Sequence, residues 1–263
     1  MEQQQIKQEV KKKYGALAAT ETAGCGDPCC ADTNLPLMAD RYDELDGYVP
    51  EADLALGCGI PTQVAQISIG DTVVDLGSGA GNDAFVARRL VGETGRVIGL
   101  DMTPEMIQRA EKNTAKLGFQ NVEFVLGDIE RMDAIPTDTA DVVISNCVMN
   151  LVPDKVRAFA EVHRILKPRG HFSISDIVYR GELPSEFLEV ADLYAGCVAG
   201  SSEQDRYLGI IKTAGFKNIR LAREKRIDLP DEFLLRYLPS ERLAELKQSD
   251  IGLYSVTVYA EKS

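Results

Sequence analysis

Hydrophobic and polar positions follow two different periods along the middle of the chain. Short apolar runs that end in a polar residue, such as Thr72–Asp75 and Gly95–Asp101, predict buried strands. Between these runs, apolar residues recur at three- and four-residue steps, which predicts amphipathic helices. Such alternation predicts an α/β fold with a doubly wound parallel sheet and helices on both faces. The other elements predicted here are strands at 122–126, 141–145 and 171–178 and helices at 83–90, 103–117 and 154–166.

The pattern is less regular at both ends of the chain. Residues 1–13 predict a short helix, and 14–34 predict an irregular segment rich in small and polar residues. The region after residue 180 predicts a smaller C-terminal α+β portion that completes the sheet. The predicted domains are 1–48, 49–180 and 181–263. The remaining predicted elements are helices at 35–45, 62–67, 183–194, 205–214 and 230–246 and strands at 216–228 and 253–259.

A glycine-rich turn, Asp75-Leu-Gly-Ser-Gly-Ala-Gly81, follows the first strand. Glycine allows a tight turn and a close approach of the backbone to a ligand because it has no Cβ. Asp101 ends the next strand, about 20 residues past the last glycine, where an acidic residue meets ribose hydroxyls. No basic residue lies within 77–83 to meet a phosphate. The motif therefore predicts a cofactor that carries a nucleoside and no phosphate chain.

The overall charge narrows the range of partners. The 263 residues carry a formal net charge of −12, which disfavours binding to nucleic acid or to acidic membranes. No apolar run approaches the roughly 20 residues of a membrane span. Because residues 1–13 are polar and charged, they do not resemble a secretory signal. We expect a cytoplasmic protein that acts as a monomer.

Six cysteines stand out in such a protein, where thiols are more often ligands or catalysts than disulfides. Cys147 follows the fourth predicted strand, and ligands bind at the carboxyl ends of strands in open α/β sheets. Cys58 and Cys197 lie in glycine-rich turns. The three cysteines near the N terminus lack a fourth ligand for zinc, so redox-active thiols are favoured over a zinc site there. These three are Cys25, Cys29 and Cys30.

Several motifs identify a family when they are taken together. They are Leu56-Gly-Cys-Gly59, Asp75-Leu-Gly-Ser-Gly79, Gly99-Leu-Asp-Met-Thr103 and the segment 145–155, Ser-Asn-Cys-Val-Met-Asn-Leu-Val-Pro-Asp-Lys. This set resembles the arsenite S-adenosylmethionine (SAM) methyltransferases, a branch of the class I SAM methyltransferases with a Rossmann-like sheet. The resemblance covers nearly the whole chain. The chain departs from many members at Ile60, where they have asparagine.

The resemblance implies a reaction. Trivalent arsenic is soft and thiophilic, and it is implied to be bound by Cys58, Cys147 and Cys197 after arriving as a thiol adduct. Three thiolates leave the arsenic lone pair free to attack the methyl group of SAM. An N-terminal thiol is implied to form a disulfide with Cys58, to be reduced by thioredoxin or glutathione. The candidates for that thiol are Cys25, Cys29 and Cys30.

The resemblance also implies a set of cofactor contacts. Asp101 is expected to accept the ribose hydroxyls, and Asp128 is expected to accept the exocyclic amine of adenine. Met102 and Ile129 are expected to flank the adenine ring. The remaining expected contacts are Asp75, Gly77, Ser78, Gly79 and Asn146.

Two other functions stay open at this point. The first is a SAM-dependent methyltransferase for another small molecule, which needs a base near the acceptor, with His171 as its candidate. The second is a non-catalytic binder of soft metals that uses the six thiols. The sequence does not separate arsenic from antimony, and it does not give the number of methyl groups transferred.

Overall fold

A computed structural model describes residues 3–19, 40–183, 198, 200–229, 231–235, 239–247 and 249–263. Four of the six cysteines, Cys25, Cys29, Cys30 and Cys197, lie outside these ranges, as does nearly all of the helix predicted at 183–194. Within the described ranges, no helix combines the length and the apolar character needed to cross a membrane.

The described elements alternate as the sequence predicts from residue 72 to residue 180. The strands are β1 (Thr72–Leu76), β2 (Arg96–Asp101), β3 (Val122–Leu126), β4 (Ala140–Asn146), β5 (Leu166–Arg180), β6 (Ser202–Glu203), β7 (Lys217–Ile227) and β8 (Gly252–Glu261). The helices are α1 (Gln3–Ala19), α2 (Asn82–Val91), α3 (Pro104–Leu117), α4 (Lys155–Ile165), α5 (Gln204–Thr213), α6 (Asp231–Leu234) and α7 (Ser240–Lys247), with short 3₁₀ turns at Pro61–Gln63 and Met149–Leu151.

One sheet organises the molecule, with strand order β3-β2-β1-β4-β5-β8-β7 and β6 paired to β5. Strands β1 to β5 pair in parallel, whereas β8 pairs antiparallel with both β5 and β7. The predicted doubly wound α/β sheet is confirmed, and the last two strands extend it as the C-terminal pattern indicates. The three domain limits remain a prediction. Because the strand order reverses at β1, with β2 on one side and β4 on the other, a cleft opens at the carboxyl ends of these parallel strands.

Two apolar cores cover the two faces of the sheet. On one face, the Phe159 ring lies 5.8 Å from that of Phe172 and 5.6 Å from that of Tyr207. On the other face, the Phe85 ring lies 5.8 Å from that of Phe119 and 6.0 Å from that of Phe124. These rings anchor α4, α5 and α2 against the strands. The helices therefore hold fixed the strand ends from which the site is built.

Several predicted elements near the ends are wrong in detail. The described part of the predicted helix 35–45 forms turns, because Tyr42 turns inward to bond Asp83 instead of continuing a helix. The predicted helix 62–67 is only a 3₁₀ turn, since Gln66 has a φ of 52° that ends helical geometry. Helix α1 runs six residues beyond the predicted 1–13, through residues predicted as irregular. The predicted helix 230–246 is two short helices, α6 and α7.

Candidate active site

The floor of the cleft is the glycine turn between β1 and α2. Gly77 has a φ of 68°, a left-handed conformation that favours glycine. A Cβ built on Gly77 would lie 2.4 Å from Cγ2 of Val148, so this position requires glycine for space as well. Val148 follows Cys147 in the chain. The turn is therefore packed directly against the segment that carries a predicted arsenic ligand.

Asp101 closes the side of the cleft at the end of β2. Its Oδ2 accepts the backbone N–H of Gly79 at 3.0 Å, and its Oδ1 accepts that of Thr103 at 2.8 Å. Burial raises the pKa of Asp101, and these backbone donors oppose that rise. Each carboxylate oxygen has two lone pairs. Asp101 can therefore hold the glycine turn in place and still accept hydroxyl groups from a ligand.

Three polar atoms in the floor of the cleft are buried and have no hydrogen-bond partner among the described residues. They are Oδ2 of Asp75, Oγ of Ser78 and Oδ1 of Asn82. Buried polar atoms in folded proteins are nearly always hydrogen-bonded. Burial and the nearby Asp83 and Asp101 carboxylates hold the pKa of Asp75 well above its usual value. These atoms fit a ligand whose polar end reaches the glycine turn.

Helix α1 forms the outer wall of the cleft. Lys7, Val10 and Tyr14 recur at steps of three and four residues and line the cleft from one face of the helix. The Lys7 ammonium pairs with Oδ2 of Asp128 at 2.7 Å and with Oε2 of Glu130 at 2.5 Å. The helix is thus held to the loop after β3.

All the residues predicted to contact the cofactor line this one cleft, in agreement with their positions at strand ends. They are Asp75, Gly77, Ser78, Gly79, Asp101, Met102, Asp128, Ile129 and Asn146. Sequence reasoning did not identify several other lining residues. Asp83 could have been recognised from the sequence, because it is an acid in the first turn of α2, directly after the glycine turn. No sequence pattern indicates that Lys7, Tyr14 and Tyr42 line the cleft. Their contacts arise only from tertiary packing.

Cys58 lies in a turn whose backbone is bonded on both sides. Its N–H donates to Oδ1 of Asn146 at 3.0 Å, and its carbonyl oxygen accepts the hydroxyl of Ser255. A Cβ on Gly59 would lie 2.7 Å from Oγ of Ser175, so glycine here allows a close approach to the sheet. Cys58 itself is 2% exposed.

Cys147 follows β4 immediately and has a φ of 59°, unusual for a residue other than glycine. Its N–H donates to the carbonyl of Ser175 at 2.8 Å. Cys58 and Cys147 belong to one buried apolar cluster, and Cys147 also lines the cleft. Val198, which follows Cys197 in the chain, packs in the same cluster. The described residues, with two of the six cysteines, contain no complete group of three candidate metal ligands.

A buried carboxyl group supports the turn after Cys147. Asp176 is fully buried on β5 and accepts the backbone N–H groups of Ile177 and Asn150. Asn150 lies in the 3₁₀ turn that follows Cys147. Burial raises the pKa of Asp176 to about 7, and the positive charge of Lys155 opposes that rise.

These features define the class of protein. The parallel sheet, the glycine turn and the strand-end acids form a Rossmann-like methyltransferase domain, and a family model described as a methyltransferase domain matches residues 67–215. The fold is similar to that of an arsenic(III) S-adenosylmethionine methyltransferase from Chlamydomonas reinhardtii, with a TM-score of 0.64 and 34% identity. That match covers 77% of this chain and 66% of the other.

Comparison with proteins of similar sequence assigns the chain to one family of methyltransferases. The chain is 37% identical to an arsenite methyltransferase of Halobacterium salinarum, over 98% of this chain and 67% of the relative. It is 31% identical to an arsenite methyltransferase of Aquipseudomonas alcaligenes, over 89% of this chain and 68% of the relative. It is 34% identical to the human arsenite methyltransferase, over 89% of this chain and 64% of the relative. The chain belongs to the arsenite methyltransferase family, and it spans about two thirds of the length of these relatives.

Proposed function

We propose that this protein transfers a methyl group from SAM to trivalent arsenic. The observation that carries the proposal is the position of the two described thiols. Cys58 and Cys147 share one buried cluster, and Cys147 also lines the cleft where the glycine turn and Asp101 meet. A substrate bound by these thiols is thus placed at the rim of a nucleoside-type cleft.

SAM fits the cleft by its chemistry. The buried unpartnered atoms of Asp75, Ser78 and Asn82 match the charged amino-acid end of the molecule. The Asp101 carboxylate suits the ribose hydroxyls, while Met102 and Ile129 provide apolar surfaces for adenine. When bound, SAM supplies a methyl group on a positively charged sulfur, which the arsenic lone pair can attack in line with the departing sulfur.

The thiolates hold the arsenic and leave its lone pair free. We assign Cys58, Cys147 and Cys197 as its three ligands, because soft thiolates suit soft arsenic. Val198 packs in the cluster of Cys58 and Cys147, which supports a contribution from Cys197. No proton leaves arsenic in the transfer itself. The task of the protein is therefore alignment, for which proximity contributes roughly 7–11 kcal/mol in favourable cases.

A second thiol step completes the cycle. Methyl transfer raises arsenic from the trivalent to the pentavalent state, and two thiols can return two electrons by forming a disulfide. We propose Cys58 as one of these thiols and an N-terminal cysteine, Cys25, Cys29 or Cys30, as the other. Thioredoxin or glutathione then reduces the disulfide by exchange, consistent with a protein that acts in the cytoplasm.

The test is incubation with arsenite, SAM and a thiol reductant, followed by chromatography and mass spectrometry of the arsenic species. We expect methylated arsenic from the wild type and none from Cys147→Ser. Calorimetry with SAM is the control, and the variant should still bind it. A wild-type protein that binds SAM and produces no methylated arsenic contradicts the proposal.

The other two functions fit the structure less well. His171, the base required by a methyltransferase for an organic acceptor, lies near the start of β5, with Nε2 2.6 Å from the carbonyl oxygen of Ala65. It pairs in register with Val142 in the body of the sheet and does not line the cleft. A thiol-based metal binder would not need the cleft. Arsenic methylation accounts for both the cleft and the thiols.

A further inference from the structure

The side-chain amide of Asn146 is occupied by the turn that carries Cys58. Its Oδ1 accepts the Cys58 N–H at 3.0 Å, and its Nδ2 lies 2.8 Å from the carbonyl oxygen of Gly59. The amide thus bonds the chain on both sides of the Cys58 side chain. The first bond restrains the peptide group before Cys58, and the second restrains the peptide group after Gly59, so the turn that carries the thiol is held at both ends.

Two buried side chains hold this amide in place. Nδ2 of Asn146 lies 2.8 Å from the hydroxyl of Tyr42 and 3.1 Å from Oδ2 of Asp83. The Tyr42 hydroxyl donates to Oδ1 of Asp83 at 2.8 Å, which closes a ring of contacts. Tyr42 is 4% exposed and Asp83 is 8% exposed. Three acceptors surround the two N–H donors of this amide, so its orientation is restrained from several sides in a buried setting.

The neighbouring glycines show how closely the turn is fitted. A Cβ on Gly57 would lie 2.7 Å from Nδ2 of Asn146, so any larger residue would displace the amide. The flanking glycines of the Cys58 turn therefore allow contact with Asn146 on one side and with Ser175 on the other.

Asn146 is also the neighbour in the chain of the residue that carries the other thiol. It is the last residue of β4 and precedes Cys147, whose N–H is fixed to the carbonyl of Ser175. Cys58 and Asn146 are 88 residues apart in the chain, yet one amide connects the two thiol-bearing segments.

We infer that Asn146, held by Tyr42 and Asp83, is a positioning residue that sets the Cys58 thiol against the Cys147 thiol for a single trivalent arsenic atom. This inference rests on the proposed function. It assigns Asn146 to the arsenic site, whereas the sequence pattern predicts a cofactor contact. Residues that orient metal ligands typically change affinity by about 10–100-fold when they are replaced.

The experiment measures binding of a trivalent phenylarsenical, which takes two thiols, to the full chain. Replacing Cys25, Cys29, Cys30 and Cys197 by serine leaves Cys58 and Cys147 as the only thiols. In this background, we expect Asn146→Ala to weaken binding about 10–100-fold. Tyr42→Phe, which removes one hydroxyl, should weaken it by about fivefold, the worth of one net hydrogen bond. In the enzyme with all six cysteines, Asn146→Ala should raise KM for arsenite and leave KM for SAM unchanged.

Asn121→Ala is the matched control. The Asn121 amide also joins two loop carbonyls, those of Gly92 at 2.9 Å and Gly95 at 2.8 Å, but it does not line the cleft. This variant should lose stability and keep wild-type affinity for the arsenical. Comparing Asn146→Ala with Asn121→Ala therefore distinguishes a loss of thiol positioning from a general loss of stability.

Two results would overturn the inference. One is a folded Asn146→Ala that binds the arsenical as tightly as its parent, whether or not it has lost affinity for SAM. If Asn146→Ala does not fold, undiminished affinity in Tyr42→Phe overturns it as well. A parent that binds no arsenical contradicts instead the proposed use of Cys58 and Cys147, which is a separate failure.

Discussion

The cofactor cleft and the thiol cluster meet at Cys147 but are built in different ways. The cleft is lined by carboxyl groups and glycines at the ends of β1 and β2, close in sequence to the strands that place them. The thiol cluster is apolar, and its two described cysteines are brought together by contacts between distant parts of the chain. The first region depends on local backbone geometry, and the second depends on tertiary packing.

Glycine is needed for partly different reasons in the two regions. In the cleft, Gly77 adopts a left-handed φ of 68° and also packs against Val148. Beside Cys58, Gly57 and Gly59 are needed because a Cβ would collide with Asn146 or Ser175. A conformational requirement can be recognised from a local motif, whereas a spatial requirement depends on what packs against the residue.

The largest effect is expected where the two regions touch. Gly77→Ala places a methyl group 2.4 Å from Cγ2 of Val148 and strains a left-handed backbone, so both the glycine turn and the segment after Cys147 must move. We expect SAM affinity to fall about 100-fold, which corresponds to about 3 kcal/mol. Calorimetric titration with SAM checks this.

Gly118→Ala is the control that introduces backbone strain without a steric clash. Gly118 has a φ of 70°, almost that of Gly77, but nothing lies within 4 Å of its built Cβ. It should lose about 1–2 kcal/mol of stability and bind SAM normally. Adding Val148→Ala to Gly77→Ala removes the opposing methyl groups and should restore part of the affinity. If Gly77→Ala and Gly118→Ala bind SAM equally well, contact with Val148 does not matter.

The sequence predicts the cleft better than it predicts its surroundings. Parallel strands end at one edge of the sheet, so the strand pattern places Asp101 beside the glycine turn, whereas the family resemblance implies Asp75 and Asp128 there. Cys147 could be placed there from the strand pattern as well. These positions at the cleft depend on one strand and the residues that follow it, and the roles of the residues toward SAM and arsenic remain predictions.

The parts that could not be predicted depend on contacts over long distances in the chain. Tyr42 bonds Asn146 from 104 residues away, and this contact replaces the helix that its local spacing predicts. Lys7 reaches Asp128 across 121 residues, so α1 could be predicted as a helix but not as a wall of the cleft. Periodicity reports which face of an element is apolar, and it does not report which partner covers that face.

A moderate effect is expected from the wall of the cleft. Lys7→Ala removes both ion pairs that hold α1 to the loop after β3. Because the ammonium is partly shielded from water, its loss should cost about 1 kcal/mol and weaken SAM binding about fivefold. Titration of SAM at low and high salt measures the effect, which should shrink as salt screens the wild-type pairs.

Lys12→Ala is the matched change on the same helix. Lys12 carries the same charge, is exposed and does not line the cleft. Equal losses from the two variants would mean that the net charge of α1 matters and that the contacts of Lys7 do not. The packing of α1 against the cleft would then not be required for SAM binding.

The last prediction concerns stability and the buried acid beneath the thiol segment. Burial raises the pKa of Asp176 from 3.8 to about 7, so the folded protein binds a proton there that the unfolded chain releases. The stability this provides is present below pH 3.8 and is lost as pH rises to about 7. Asp176→Asn cannot titrate, so its free energy of unfolding should decline less steeply over this interval, by at most roughly 1.4 kcal/mol per pH unit.

Urea unfolding at a series of pH values measures these slopes, with Asp205→Asn as the same substitution at an exposed position. Asp83, whose pKa burial raises to about 6, contributes in the same direction and is retained in every variant. Equal slopes for Asp176→Asn and the wild type would mean that Asp176 is charged in the folded protein. A charged Asp176 would then pair with Lys155 beneath the segment that carries Cys147. The thiol region, like the cofactor cleft, would depend on a buried charged carboxyl group, and the two regions would no longer differ in this respect.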